Sequence, residues 1–83
     1  MSEIETRLQK CFLTIFPQLE KEEIPSAGMT SVAEWDSLAT VTLVAVLEEE
    51  FHFEFSSEEL EYLTSYELIL ELTRSKLNEN LQA

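Results

Sequence analysis

Trp35-Asp36-Ser37-Leu38-Ala39-Thr40-Val41-Thr42-Leu43-Val44-Ala45-Val46-Leu47-Glu48-Glu49-Glu50-Phe51 is the stretch that decides how this chain folds. Asp36 suits an N-cap, because a short carboxylate accepts the backbone N–H groups that a helix start leaves unpaired. A helix is therefore expected from about Ser37 to Phe51. With Ser37 at zero and about 100° per residue, Leu43, Val44, Leu47 and Phe51 share one arc of about 100°. That arc is the core face. A second apolar strip, Leu38, Val41 and Ala45, lies about 40–100° from Ser37. Glu48 and Glu49 flank this strip, and Glu50 does not. Two readings are open. Both faces are buried in a central helix, or the second is an exposed docking ridge with a charged rim.

Upstream, residues 17–36 hold both prolines, Pro17 and Pro25, and the single glycine, Gly28. This is the irregular part of the chain, and an irregular segment of this length in a small domain is often functional. Leu19, Ile24, Met29 and Val32 are expected to tuck against the core, with a short helical turn near residues 19–23. Trp35 is expected to pack over the loop. Before it, Ser2 with Glu5 reads as a capping box. Ile4, Leu8, Cys11, Phe12, Ile15 and Phe16 then recur at helical spacing until Pro17 stops the helix.

Downstream, residues 52–57 connect to a short helix near residues 58–62, capped by Ser56 or Ser57. Apart from His52 to Phe55, no strand-period alternation occurs. Thr64 or Ser65 caps a last helix, with Leu68, Ile69, Leu72 and Leu77 on its inner side and a frayed tail after about Asn78. The pattern is all-α.

The 83 residues suffice for one domain, here 1–83. Seventeen acidic residues face five basic ones, a net charge of −12. Such a surface repels nucleic acid and anionic membrane and suits basic protein surfaces. Cys11 is the only cysteine, so no intramolecular disulfide forms. No signal peptide or spanning apolar run is seen, so a soluble, cytoplasmic monomer is expected. His52 is the only histidine, and no metal set or nucleophile–base pair accompanies it. Calcium-loop spacing is missing too.

Ser37 sits at the head of the second helix, where free N–H groups and the positive dipole end favour a phosphate ester. Taken alone it is an ordinary helix-start serine. Yet Trp35-Asp36-Ser37-Leu38, followed by Val41, Leu43-Val44 and Leu47-Glu48-Glu49-Glu50-Phe51, resembles the acyl carrier protein family. Ser57-Glu58-Glu59 and Thr64-Ser65 extend the resemblance, which runs to about Leu72. It implies a four-helix bundle with a long first loop and a short third helix. It implies a carrier without catalytic activity of its own. A phosphopantetheinyl transferase, using magnesium, would attach 4'-phosphopantetheine to Ser37, beside Asp36. The arm would then hold acyl groups as thioesters for acyl-loading and acyl-using enzymes of fatty-acid, polyketide or related biosynthesis. Leu38, Val41 and Ala45 match the family's docking ridge, and Glu48 and Glu49 its acidic rim.

The chain departs from the fatty-acid members at Ala39 and Thr42, where those carry acidic residues, and at Val32-Ala33-Glu34-Trp35, where they carry glycine. The pocket side that the resemblance implies for the third helix carries Leu60 and Leu63, with Phe55 just before it, and such bulk is expected to restrict a buried acyl chain. These features favour a specialised stand-alone carrier. The alternatives are an acidic protein-binding adaptor of the same fold without the arm, and a peptidyl carrier domain.

Overall fold

The computed structural model describes residues 3–82, with side chains to Leu77. Among the described residues four α-helices follow one another: α1 (Glu3–Ile15), α2 (Ser37–Phe51), α3 (Ser57–Leu60) and α4 (Tyr66–Gln82). A 3-10 helix, Lys21–Ser26, interrupts the long first loop. No strand forms among the described residues, and the fold is all-α. The capping box expected at Ser2 lies outside the described residues.

The helix boundaries follow local chemistry. Asp36 has extended backbone, and its carboxylate accepts the Ala39 N–H at 2.9 Å. At the other end, His52 takes a left-handed conformation (φ 59°) and donates its N–H to the Glu48 carbonyl. This is the usual way a helix closes its last turn, though glycine is the residue that does so without steric cost. At α3, Ser56 is the cap: its hydroxyl accepts the Glu59 N–H and its N–H donates to the Glu59 carboxylate. The helix starts one residue earlier than expected and relaxes into a turn at Glu61. Ser65, not Thr64, caps α4, accepting the Leu68 N–H. The expected turn near residues 19–23 appears shifted, as the 3-10 helix; Glu20 donates its N–H to Glu23 at its start. The backbone of α4 stays helical through Gln82, past the point where fraying was expected.

The core is where the loop meets the helices. Leu8, Phe12 and Phe16 of the first segment, Leu43, Leu47 and Phe51 of α2, and Tyr66 and Ile69 of α4 are buried. Ile24 and Val32 join them from the loop, with Leu19 and Met29 half-buried against the cluster. Trp35, expected to pack over the loop, lies inside the core instead, edge-on to Phe12 with ring centroids 5.4 Å apart. The loop is also stitched to the α3–α4 junction by two backbone bonds: Met29 N–H to the Thr64 carbonyl and Tyr66 N–H to the Ala27 carbonyl, both 2.9 Å. Gly28 sits inside this stitch, where a Cβ would come within 3.3 Å of the Thr64 carbonyl oxygen.

Leu68 differs from expectation. It is 42% exposed, while Tyr66, Ile69 and Thr73 face inward. The helical phase of α4 is set by the Tyr66 ring packing on Phe12 at 5.2 Å, which turns Leu68 outward.

Among the described residues, three ion pairs lie on helix seams. Arg7 reaches from α1 to Glu50 on α2 at 2.7 Å, and Arg74 reaches from α4 to Glu5 on α1 at 2.8 Å. Lys76 of α4 holds Glu59 of α3 at 2.8 Å and lies 5.5 Å from the Phe55 ring centroid. The hydrogen bonds from Lys76 and the Ser56 N–H hold the Glu59 carboxyl below its ordinary pKa.

Thr73 is fully buried, and its hydroxyl has no hydrogen-bond partner among the described residues. Valine has nearly the same shape without the unpaired group. Thr73→Val is therefore expected to stabilise the chain by about 1 kcal/mol, read as a higher urea midpoint at unchanged m-value.

Candidate functional site

The site is built on the first turns of α2. Asp36 ends the long loop, and two features fix where it ends. Its side chain caps the helix, and its carbonyl accepts both the N–H and the hydroxyl of Thr40, at 3.0 and 3.1 Å. The Thr40 hydroxyl in turn accepts the Trp35 indole N–H at 2.9 Å. The buried indole thus holds the helix start from beneath, through one hydroxyl. Ser37 follows directly and is exposed. Its hydroxyl stands at the N-terminal end of a 15-residue helix, where the dipole is positive.

Ser37 opens on a cleft of about 240 Å³ between the loop, α2 and α3. Met29, Val41, Leu60 and Leu63 line it with Ser37, Thr40, Glu61 and Thr64. Beside the cleft, α2 leaves its second apolar strip in solvent: Leu38 is 75% exposed, Val41 63%, and Ala45 is exposed as well. Leu43, Leu47 and Phe51 are buried on the other face. Burial of both faces, one of the two readings open from the sequence, is therefore not what the helix shows: the second strip is exposed.

The two carboxylates assigned to the rim differ. Glu49 is exposed and lines a depression with Ala45, Val46, Glu50 and His52. Glu48 is half-buried, and its carboxylate accepts the Phe55 N–H at 2.9 Å. It closes the α2–α3 connection. Nothing in the sequence spacing distinguishes it from Glu49, because its partner is a backbone group seven residues on.

The three bulky residues near α3 also separate. Phe55 and Leu63 belong to the buried core, and Leu60 is half-exposed at the cleft mouth. Sequence reasoning missed Thr40, Met29 and Thr64. A threonine five residues after a tryptophan carries no recognisable signal, and the other two are brought together by the Met29 N–H to Thr64 carbonyl bond between segments distant in sequence. Among the described residues, no group of three or more His, Cys, Asp or Glu side chains is placed to hold a metal ion. No helix among them is long and apolar enough to cross a membrane.

No model of a known protein family matches the chain.

Cys11 lies away from this site, buried on the inner face of α1. Burial pushes its thiol up from 9.0 to about 11; the Glu50 carboxylate adds to the rise and Arg7 opposes it. Only the thiolate reacts with disulfide reagents, so this shift alone removes about a hundredfold of reactivity near neutral pH. Native chain is expected to react with Ellman's reagent at least about a hundredfold more slowly than chain unfolded in guanidinium at the same pH.

Proposed function

We propose that this chain is an acyl carrier protein with a four-helix bundle fold of that type. Ser37 would bear a 4'-phosphopantetheine arm that delivers acyl groups to enzymes of fatty-acid, polyketide or related specialised biosynthesis in the cytoplasm. One observation carries the reading. The serine of the Asp36-Ser37-Leu38 motif is exposed at the head of α2, on a cleft with Met29, Val41, Leu60 and Leu63 in its walls and beside an exposed apolar ridge.

The residues present suit the arm. The Ser37 hydroxyl is accessible for esterification, and a phosphate there would meet the positive end of α2. Met29, Val41, Leu60 and Leu63 offer apolar walls to the start of the arm or its cargo. When bound, the arm supplies a terminal thiol that holds acyl groups as thioesters. The chain's own residues position it. Asp36 and Thr40 hold the helix start, and Leu38, Val41 and Ala45 offer partners a contact surface.

The bulk around the cleft bears on cargo. Phe55 and Leu63 already fill core space behind α3. This supports a specialised carrier whose acyl group is short or stays near the surface, rather than one that sheathes a long chain.

The attachment is tested by incubating the chain with coenzyme A and a broad-specificity phosphopantetheinyl transferase, then measuring intact mass. The expected result is a single phosphopantetheine mass gain that Ser37→Ala abolishes. No gain, or a gain surviving that substitution, rejects the carrier reading and favours an adaptor using the ridge alone.

The docking ridge has its own test. Glu49→Lys is expected to slow transferase modification while leaving the thermal midpoint unchanged. Glu48→Lys is expected to lower the midpoint as well, because the Phe55 N–H loses its acceptor. Equal, unperturbed modification rates in both variants would remove the acidic rim from the assignment.

A further inference from the structure

Five large hydrophobic side chains are exposed among the described residues: Leu38, Val41, Leu60, Tyr62 and Leu68. The first three belong to the ridge and cleft around Ser37. Tyr62 and Leu68 do not. They line a separate groove of about 360 Å³ between the α3 segment and α4, completed by Glu59, Glu71, Leu72 and Ser75. The groove and the Ser37 cleft share no lining residue; the α3 segment is the wall between them.

The α4 side of this groove is patterned. With Glu67 at zero and about 100° per residue, Ser75, Leu68 and Leu72 occupy a strip of about 60°. Glu67 and Glu71 lie together on one side of that strip, and the core residues Tyr66, Ile69 and Thr73 point elsewhere. Across the groove stands Tyr62, 66% exposed, a side chain that offers a large rigid contact area at low entropic cost.

We infer that this groove is a second docking face, taking a basic amphipathic helix from a partner protein. Charge complementarity sets the occupant. Glu59 and Glu71 line the groove, Glu71 is exposed, and exposed Glu67 lies one turn before it on α4. Lys76, next to Ser75 in the chain, is committed to Glu59 and lies against the Phe53 and Phe55 rings, and Arg74 on its other side is paired with Glu5. A narrow strip with two leucines, edged on one side by Glu67 and Glu71, matches a helix whose apolar stripe is bordered by Lys or Arg. A second copy would bring the same carboxylates and a net charge of −12 against them. The inference does not depend on the arm at Ser37, and a chain with Ser37→Ala carries the same face.

The test is titration of the isotope-labelled full chain with a helical Leu/Lys amphipathic peptide, followed by NMR. A Leu/Glu peptide of identical apolar pattern is the control. The expected result is shifts concentrated at Tyr62, Leu68, Leu72 and Ser75, with no response to the Leu/Glu peptide. Tyr62→Ser with Leu68→Gln should weaken binding at least about tenfold, and Ser37→Ala should not change it. Glu67→Lys with Glu71→Lys gives an independent variant that leaves the apolar strip intact and should also weaken binding. Shifts centred on Leu38, Val41 and Ala45, or spread evenly over the acidic surface, would overturn the inference. So would unchanged affinity in both double variants. Concentration-dependent shifts at Tyr62 and Leu68 without peptide would assign the groove to a second copy instead.

Discussion

Phe12 is the side chain on which the rest of the structure leans. It is fully buried, and three rings pack against it: Phe16 at 6.3 Å, Trp35 at 5.4 Å and Tyr66 at 5.2 Å between centroids. These rings come from just beyond α1, the end of the long loop and the start of α4. Two of the three meet Phe12 edge-on, the geometry in which ring quadrupoles attract, worth about 0.5–1.5 kcal/mol per pair beyond burial. Closing a long loop costs entropy, and this contact returns it where the loop ends. Because Trp35 adjoins Asp36, the same contact locates the head of α2. The exposed Ser37 is thus positioned by the core, through the indole and Thr40, more than by the loop that leads to it.

Charge is the second constraint. Against seventeen acidic residues the chain has five basic ones, and Arg7, Arg74 and Lys76 are drawn onto seams between helices. Exposed pairs of this kind each contribute little. Arg7 does more than pair. It donates to the Glu50 carboxylate and to the Glu50 carbonyl near the negative end of α2, and its guanidinium lies 4.6 Å from the Phe51 ring centroid. Using cations this way strengthens the seams. It also leaves the outer surface more uniformly acidic than composition alone implies.

What was legible in the sequence was local. The limits of α2, the Asp36 cap and the inward set Leu43, Leu47 and Phe51 follow from spacing and capping chemistry, and the structure has them. The exposure of Leu38 and Val41 was one of two readings open from the wheel. What was not legible depends on contacts distant in sequence. Glu48 and Glu49 look alike until the Phe55 N–H selects one. Leu68 outranks Thr73 in hydropathy, yet Thr73 is buried, because Tyr66 and Ile69 set the helix phase. The cleft at Ser37 gathers residues from positions 29 to 64, which no window of periodicity spans.

The exposed apolar side chains and the acidic surface are best understood together. Exposed apolar patches on a small domain invite association with a second copy. Here that copy would bring the same carboxylates, so repulsion opposes the contact that the apolar residues favour. A basic surface meets the same apolar residues without that repulsion and with attraction in its place. Selectivity then lies in a difference, apolar contact common to both encounters and charge of opposite effect in each. Self-repulsion within the chain costs stability, but only the long-range part of it, which salt screens beyond about 8–10 Å. The short-range cap at Asp36, the Glu48 closure and the Arg7 seam are far less affected by that screening. The acidic surplus can therefore favour one class of contact over another while the packed aromatic centre keeps the fold.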